Sequence, residues 1–282
     1  MDTQIDVIIR AEERPLAAFL GIHLLFEQQE QRFSRFRPDS QLSRLNADGF
    51  VEDPWFAAGV RLALDAHERS GGIFNPLILE SLAAAGYDRS FRDLGLRPIE
   101  TATSAAPIPS EALTVDGDRV TLTAGRLDLG GIVKGWTVDL AVQQLARDYP
   151  DVLVNAGGDM RIAGTDDDGP GWAVEIDMPG SNGPVPLRLQ AALATSSTLK
   201  RRWRTAGGSN NHHLIDPATG KPAKTDIVQA SVLAPEVWLA ETLAKSVIIG
   251  GPSVAERAAA AGIAMLAVAR DGTRSTYGPW PA

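Results

Sequence analysis

Cysteine is absent from the 282 residues of this chain. Disulfide bonds, cysteine-ligated zinc sites and iron–sulfur clusters are therefore excluded, because each of them needs cysteine sulfur. An excess of basic residues is also absent, since 27 Lys and Arg stand against 35 Asp and Glu, for a net charge of −8. A protein whose main task is to grip a phosphate backbone usually has the opposite balance. We therefore expect no nucleic-acid partner, but small molecules or proteins instead.

Long apolar runs are likewise missing. No stretch approaches the ~18 consecutive apolar residues of a membrane-spanning helix, and the first four residues lack the basic-then-apolar layout of a signal peptide. We therefore expect no membrane segment in this chain and a cytoplasmic location. The length allows one large or two ordinary domains. Because no linker separates two parts, we predict a single domain over residues 1–282.

Helices and strands alternate irregularly along the chain. Pro15 and Pro54 each precede apolar residues at helical spacing, which predicts two helices near the N-terminus. Short apolar runs bounded by turn residues predict strands at 119–123, 152–155, 172–176, 185–193, 227–233 and 264–269. Helical spacing returns at 134–147, 238–248 and 253–261, where Ser253 and Glu256 form a predicted capping box and Gly262 ends the helix. The Ala/Ser/Thr/Pro-rich segment 101–109 has too little apolar bulk for a helix or strand and is a predicted loop. This mixture indicates an α+β fold.

A glycine pair precedes the helix that is predicted from Lys134. Gly130 and Gly131 let the backbone approach a ligand closely, and the helix start offers free N–H groups beside the Lys134 ammonium. A phosphate would be stabilised there. A plain strand-to-helix turn with a surface lysine explains the same residues equally well, because the spacing matches neither common nucleotide-binding glycine motif.

A second glycine pair, Gly157 and Gly158, separates Asn155 from Asp159 after an apolar strand. The pair allows close ligand approach, but a tight turn held by the Asn155 side chain accounts for it more simply.

Histidine is scarce, with four in the chain, and His213 lies three residues before Asp216. If the segment turns between them, Asp216 would orient His213 as a general base for a hydroxyl proton. The alternative is that His213 is a loop residue and that Asp216 caps a turn.

Six segments taken together resemble one known family. They are residues 33–46, 72–76, 128–135, 155–159, 194–196 and 213–222, and Met1 with Thr3 adds a fainter match. In this order they are similar to the ApbE family, the FAD:protein FMN transferases. The resemblance implies a T-fold-like α+β architecture. It also implies that FMN is transferred from FAD to a Thr or Ser hydroxyl of an acceptor protein, that AMP leaves and that Mg²⁺ assists.

The resemblance also implies roles for individual residues. Phe36 should pack on FAD where the family usually has Tyr, Lys134 should lie near the pyrophosphate, and His213, with Asp216, becomes the candidate base. The remaining FAD contacts are expected at Met1, Ile73, Phe74, Asn75, Asp128, Thr195, Leu214 and Ile215. Mg²⁺ ligands are expected at the Gly131 carbonyl and at Glu241.

One departure from the family affects the metal. Its second metal segment is Asp-Ala-Leu-Ala-Thr, whereas residues 241–245 are Glu-Thr-Leu-Ala-Lys. Glu241 can replace Asp as an oxygen ligand, but a protonated lysine has no lone pair to offer a metal. Glu241 and Lys245 stand four residues apart on a predicted helix, in the order that favours an ion pair. We therefore predict that this ion pair occupies the position at which the family binds its metal. We also predict that FAD binding is retained and that the dependence of activity on Mg²⁺ is weakened or lost.

Three functions remain open at the level of the sequence. The first is FMN transfer to an acceptor protein that carries a Thr or Ser site. The second is a catalytically weakened FAD-binding protein that stores or delivers flavin, which the altered metal segment favours. The third is hydrolysis of FAD to FMN and AMP, with water in place of the acceptor hydroxyl.

Overall fold

The computed structural model describes residues 3–94, 99–102, 107–180 and 183–281. Met1, for which FAD contact is expected, and residues 103–106 of the predicted loop lie outside these ranges. The helices are α1 (Leu16–Phe33), α2 (Gln41–Asp48), α3 (Pro54–Arg69), α4 (Leu79–Ala84), α5 (Val133–Leu145), α6 (Val237–Gly250) and α7 (Pro252–Ala260), with 3₁₀ turns at Phe91–Leu94 and Ser110–Ala112. Among the described residues, no helix has the length and apolar content needed to cross a membrane.

The strands are β1 (Ile5–Ile9), β2 (Phe50–Glu52), β3 (Leu113–Asp116), β4 (Arg119–Leu122), β5 (Val152–Ala156), β6 (Asp159–Ala163), β7 (Thr165–Asp166), β8 (Gly169–Pro170), β9 (Trp172–Ile176), β10 (Val185–Leu189), β11 (Ala192–Ser197), β12 (Arg202–Arg204), β13 (Asn210–His212), β14 (Ile215–Asp216), β15 (Lys221–Pro222), β16 (Ile227–Ala234), β17 (Ala264–Ala269) and β18 (Arg274–Tyr277). The chain divides into two compact units. Unit 1 contains Gln29–Val133 and Ser197–Thr225, and unit 2 contains Thr3–Gln28, Lys134–Ser196 and Asp226–Ala282. The single domain over residues 1–282 stays a prediction.

Unit 2 is built on a seven-stranded sheet with the order β1-β5-β6-β11-β16-β17-β18. β16 is buried along nearly its whole length, and its apolar residues explain why it lies inside the sheet and not at an edge. β5 and β6 form an antiparallel hairpin that pairs Ala156 with Asp159. The hairpin thus places Asp159 at the start of a strand with its side chain in the interior.

Unit 1 contains a three-stranded sheet with the order β2-β4-β3 and the helices α2, α3 and α4. Ser40 and Asp53 cap α2 and α3, because each side chain accepts a hydrogen bond from a backbone N–H in the first helical turn. Unit 1 also has an apolar cluster that includes Ile215 of the motif segment 213–222. It consists of Leu82, Ala85, Tyr87, Leu94, Trp203 and Ile215.

Most of the predicted elements are confirmed, with two corrections. The run 185–193 is not one strand, because β10 ends at Leu189 and β11 begins at Ala192. The capping box is wrong, because α7 begins at Pro252 and Gly251 takes the N-cap position without a side-chain hydrogen bond. Proline suits the first helical position, having a fixed φ and no N–H to satisfy, so the helix starts one residue before Ser253.

The start of α6 is capped by a side chain from α5. Asp139 accepts hydrogen bonds from Val237 N at 2.9 Å and from Trp238 N at 3.1 Å, and it forms an ion pair with Arg161. Burial raises the pKa of Asp139, and the two backbone hydrogen bonds and Arg161 offset only part of that effect. Asp139 therefore fixes α6 against α5 inside unit 2.

Replacing Asp139 by Ala should lower the free energy of unfolding by about 3 kcal/mol, because it removes the cap of α6 and the carboxylate that Arg161 contacts. Urea unfolding would measure the loss. Asp148→Ala, at an exposed position just beyond α5, is the matched control and should stay within about 0.5 kcal/mol of the unchanged protein. Equal losses in the two variants would contradict the capping role.

Candidate functional site

In unit 1 the backbone around Asp128 is held by two of the other sequence motifs. Asn46 accepts a hydrogen bond from Leu127 N at 2.7 Å and donates one to Leu127 O at 2.9 Å. Asp128 N donates to Pro76 O at 2.8 Å. Parts of the segments 33–46, 72–76 and 128–135 therefore meet around Asp128.

The side chain of Asp128 forms an ion pair with Arg35, with 2.9 Å between Arg35 Nε and Asp128 Oδ2. The guanidinium carbon of Arg35 lies 4.4 Å from the ring centres of both Phe36 and Tyr87, and Arg35 Nη1 donates to Tyr87 O at 2.8 Å. Arg35 Nη2 is buried and has no hydrogen-bond partner among the described residues. Phe36 itself is 42% exposed. Phe36 thus combines a partly exposed ring with a fixed positive charge close to it, which suits a flat, conjugated ligand.

Arg35 is a functional candidate that the sequence analysis did not single out. It lies beside Phe36 within the segment 33–46, and this position was the only signal that could have found it. An arginine in such a segment most often pairs with solvent or with a nearby carboxylate. Its long-range partner Asp128 becomes visible only in the folded unit.

The segment Ile73, Phe74 and Asn75 forms a turn between α3 and α4. Phe74 is buried, its N–H donates to Ser70 Oγ and its carbonyl accepts from His67 Nδ1 at 2.8 Å. The Asn75 side chain accepts from Leu77 N at 2.8 Å and so shapes the turn. The roles of these three residues toward FAD stay a prediction.

The two adjacent histidines differ in their surroundings. His212 has both ring nitrogens near backbone groups, because Nε2 lies 3.1 Å from Ala223 O and Nδ1 accepts from Leu214 N at 3.3 Å. His213 Nδ1 lies 3.4 Å from Arg201 O. A neutral imidazole that donates from Nδ1 carries its lone pair on Nε2, which is the form that a general base requires. The role of His213 as the candidate base stays a prediction.

Asp216 uses its carboxylate within its own turn. It accepts hydrogen bonds from Ala218 N at 2.9 Å and from Thr219 Oγ1 at 3.2 Å. These contacts match the turn-capping alternative, and an orienting role toward His213 stays a prediction. The Leu214 and Ile215 side chains are buried, and β14 pairs Ile215 with Pro222. Any contact of these two residues with flavin would therefore have to come from their backbone.

In unit 2 four charged side chains form what we call the lysine–carboxylate cluster: Lys134, Asp159, Glu241 and Lys245. Lys134 forms a close ion pair with Asp159, and its Nζ lies 3.8 Å from Glu241 Oε1. Lys245 Nζ lies 2.9 Å from that same oxygen. The predicted ion pair between Glu241 and Lys245 is thus confirmed, and Lys134 joins it.

The carboxylates of the cluster lie deeper than the lysines. The side chains of Asp159 and Glu241 are 3% and 2% exposed, against 17% for Lys134 and 14% for Lys245. Burial alone would raise the pKa of Glu241, but the charges of Lys245 and Lys134 and the hydrogen bonds from Lys245 and Gly135 N outweigh it and hold that pKa below its ordinary value. The two lysine side chains are thus more exposed than the two carboxylates that they contact.

Two neighbours complete the cluster. Gly135 N donates to Glu241 Oε2 at 2.9 Å, and a Cβ on Gly135 would lie only 2.8 Å from that oxygen and 3.0 Å from Trp238 N. Glycine is therefore required where α5 approaches α6. Thr195 N lies 3.4 Å from Asp159 Oδ1, and Thr195 Oγ1 shares a hydrogen bond with Ser231. The structure thus places Thr195 beside Asp159, while its role toward FAD stays a prediction.

The β5–β6 turn confirms the simpler interpretation of the second glycine pair. Asn155 Oδ1 accepts from Gly158 N at 2.8 Å, and Gly157 and Gly158 both have positive φ. The turn also brings Ala156 O within 3.2 Å of Lys134 Nζ. Lys134 is therefore not a plain surface lysine.

Mg²⁺, which the resemblance implies, does not fit the residues of unit 2. The ion needs oxygen ligands in octahedral geometry, but Oε1 of Glu241 already accepts from Lys245, and Oε2 accepts from Gly135 N. No group of three or more His, Asp or Glu side chains suited to a metal occurs within the described part of the chain. A dication about 4 Å from an ammonium would cost roughly 8 kcal/mol at an effective dielectric constant near 20. Metal ligation by Glu241 is thus disfavoured. Gly131, the other expected Mg²⁺ ligand, lies in unit 1, just before the start of α5.

Comparison with known proteins identifies a family for this chain. The ApbE family model matches residues 1–267. The FAD:protein FMN transferase of Treponema pallidum (strain Nichols) is 32% identical over 275 residues, which cover 83% of this chain and 72% of that protein. The FAD:protein FMN transferase of Vibrio cholerae is 26% identical over 242 residues, or 82% and 72% of the two chains.

Solved structures share the architecture over almost the whole chain. The ApbE protein from Thermotoga maritima superimposes with a TM-score of 0.85 at 22% identity, covering 98% of this chain and 94% of that one. The flavin transferase ApbE from Vibrio cholerae gives 0.81 at 24% identity with the same coverage. At these identities the likeness establishes the fold, and it confirms the predicted α+β architecture. The chain belongs to the ApbE family.

Proposed function

We propose that this chain transfers FMN from FAD to a Thr or Ser hydroxyl of an acceptor protein. One observation carries the proposal, which is that three family motifs meet around Asp128. Arg35 forms an ion pair with Asp128, and the Asn46 side chain hydrogen-bonds the backbone of the neighbouring Leu127. A relative that is 32% identical bears the name FAD:protein FMN transferase, which supports the same function.

The reaction is a phosphoryl transfer. The acceptor oxygen attacks the phosphorus on the FMN side of the FAD pyrophosphate, a phosphoester bond forms and the anhydride bond breaks. AMP leaves with the bridging oxygen, and the hydroxyl proton passes to His213. Positioning and neutralisation of charge supply most of the rate enhancement in such reactions.

The other residues act by binding and orientation. Phe36 stacks on a flat ring of FAD, with Arg35 and Asp128 holding it in place. Lys134 supplies positive charge for the pyrophosphate from within the lysine–carboxylate cluster. We assign no step to Mg²⁺, because the carboxylate oxygens it would need already accept N–H donors. The cytoplasmic location stays a prediction from the sequence.

Covalent flavin detection would test this function. The protein would be incubated with FAD and a cell extract from its source, and the mixture would be separated under denaturing conditions. We expect a fluorescent band that retains flavin and the release of one AMP for each flavin attached. Mass spectrometry of tryptic peptides from the band should show the added mass of FMN on a Thr or Ser. FMN on another residue type would contradict the hydroxyl acceptor. AMP without covalent flavin would indicate hydrolysis, and bound but intact FAD would indicate storage or delivery.

A further inference from the structure

Two ammonium groups converge on a single buried carboxylate oxygen in unit 2. Lys245 Nζ lies 2.9 Å and Lys134 Nζ 3.8 Å from Glu241 Oε1. Lys245 Nζ also lies 3.4 Å from Glu241 O, one helical turn back along α6. Lys245 is therefore anchored at this position by contacts within its own helix.

We propose that the Lys245 ammonium is a built-in replacement for a divalent cation at Glu241, so that this chain needs no divalent metal. The charges of the cluster already balance, since two ammonium groups face the carboxylates of Asp159 and Glu241. Among these four side chains, a divalent ion added there would leave two positive charges without counterions. It would also have to displace the N–H donors that hold both oxygens of Glu241.

The proposal predicts a specific gain of metal binding. Lys245→Thr removes the ammonium, frees Glu241 Oε1 and brings a hydroxyl oxygen to the same turn of α6. Oxygen donors of this kind suit Mg²⁺ and Mn²⁺. Lys245→Met removes the charge equally well but offers no oxygen, and so it separates loss of repulsion from gain of a ligand. Lys224→Thr makes the same change at an exposed lysine of unit 1 and is the matched control.

Mn²⁺ alone is the probe, because its electron paramagnetic resonance signal falls when the free ion becomes bound. We expect no saturable binding at millimolar Mn²⁺ by the unchanged protein or by Lys224→Thr. We expect Lys245→Thr to bind on the order of a hundredfold more tightly, and Lys245→Met to lie between, because the like-charge repulsion has gone in both. Saturable binding of Mn²⁺ by the unchanged protein at millimolar or lower concentration would overturn the proposal even if no variant folds. Failure of a folded Lys245→Thr variant to gain affinity would also overturn it.

An activity measurement adds a second readout, which rests on the proposed function. FMN transfer by the unchanged protein should proceed in EDTA at a rate within about twofold of that in Mg²⁺, since no metal is part of the cluster. Millimolar activation by Mg²⁺ would contradict the proposal. Absence of transfer in every buffer would count against the proposed function alone, and the Mn²⁺ titration would still decide the role of Lys245.

Discussion

Replacing His213 by Gln should lower the rate of flavin transfer by about 10² to 10⁴-fold, the usual contribution of a general base. Glutamine keeps a polar side chain of similar reach but cannot accept a proton near neutral pH. FAD affinity should change by less than about threefold, because the loss affects the hydroxyl proton in the transition state and not the bound ground state. Stopped assays of AMP release and equilibrium quenching of FAD fluorescence would measure the two effects separately.

The pH profile distinguishes a base from a residue that only shapes the loop. In the unchanged protein, transfer should decline in acid as the imidazole takes up a proton, and this acid limb should be missing from His213→Gln. His23→Gln, at an exposed position of α1, is the control and should retain both rate and profile. An unchanged acid limb in His213→Gln would show that another group is the base.

Replacing Glu241 by Gln should lower the free energy of unfolding by about 3 to 5 kcal/mol, the cost of leaving a buried charge without its partner. The change leaves Lys134 and Lys245 facing each other across a neutral amide. Because the pKa of Glu241 lies below its ordinary value of 4.5 in the folded protein, its ionised form contributes stability above that pH. The contribution is lost as the pH falls through the folded pKa. The difference between the two proteins, measured by urea unfolding, should therefore shrink in acid.

A double-variant cycle tests whether charge imbalance is the cause. Lys245→Met in the Glu241→Gln background removes the excess charge, and the double variant should regain about half of the lost stability. Glu256→Gln, at an exposed site of α7, is the matched control and should stay within about 0.5 kcal/mol. If Lys245→Met deepened the loss in the Glu241→Gln background, the destabilisation would not come from the unpaired ammonium groups.

Much of the fold was accessible from local patterns. Pro15 immediately precedes α1 and Pro54 is the first residue of α3, as expected, because proline favours helix starts through its own fixed φ. The failures were at boundaries, where neighbours matter more than the residue itself: Pro252 starts α7 ahead of Ser253. Apolar spacing also did not guarantee burial. Leu16 and Leu20 on α1 remain 62% and 59% exposed, because periodicity shows which side chains share a face and not what covers it.

By itself, the sequence determined the class of fold, the order of the six motifs and the pairing of Glu241 with Lys245. The pair could be predicted because its partners are one helical turn apart, and local geometry alone brings them together. Tertiary structure alone decided that Arg35 reaches Asp128, that Asp139 caps α6 and that Asp159 joins Lys134. Each of these contacts joins residues far apart in the chain, and their distance depends on how whole strands and helices pack. Local residue preferences carry no information about that packing.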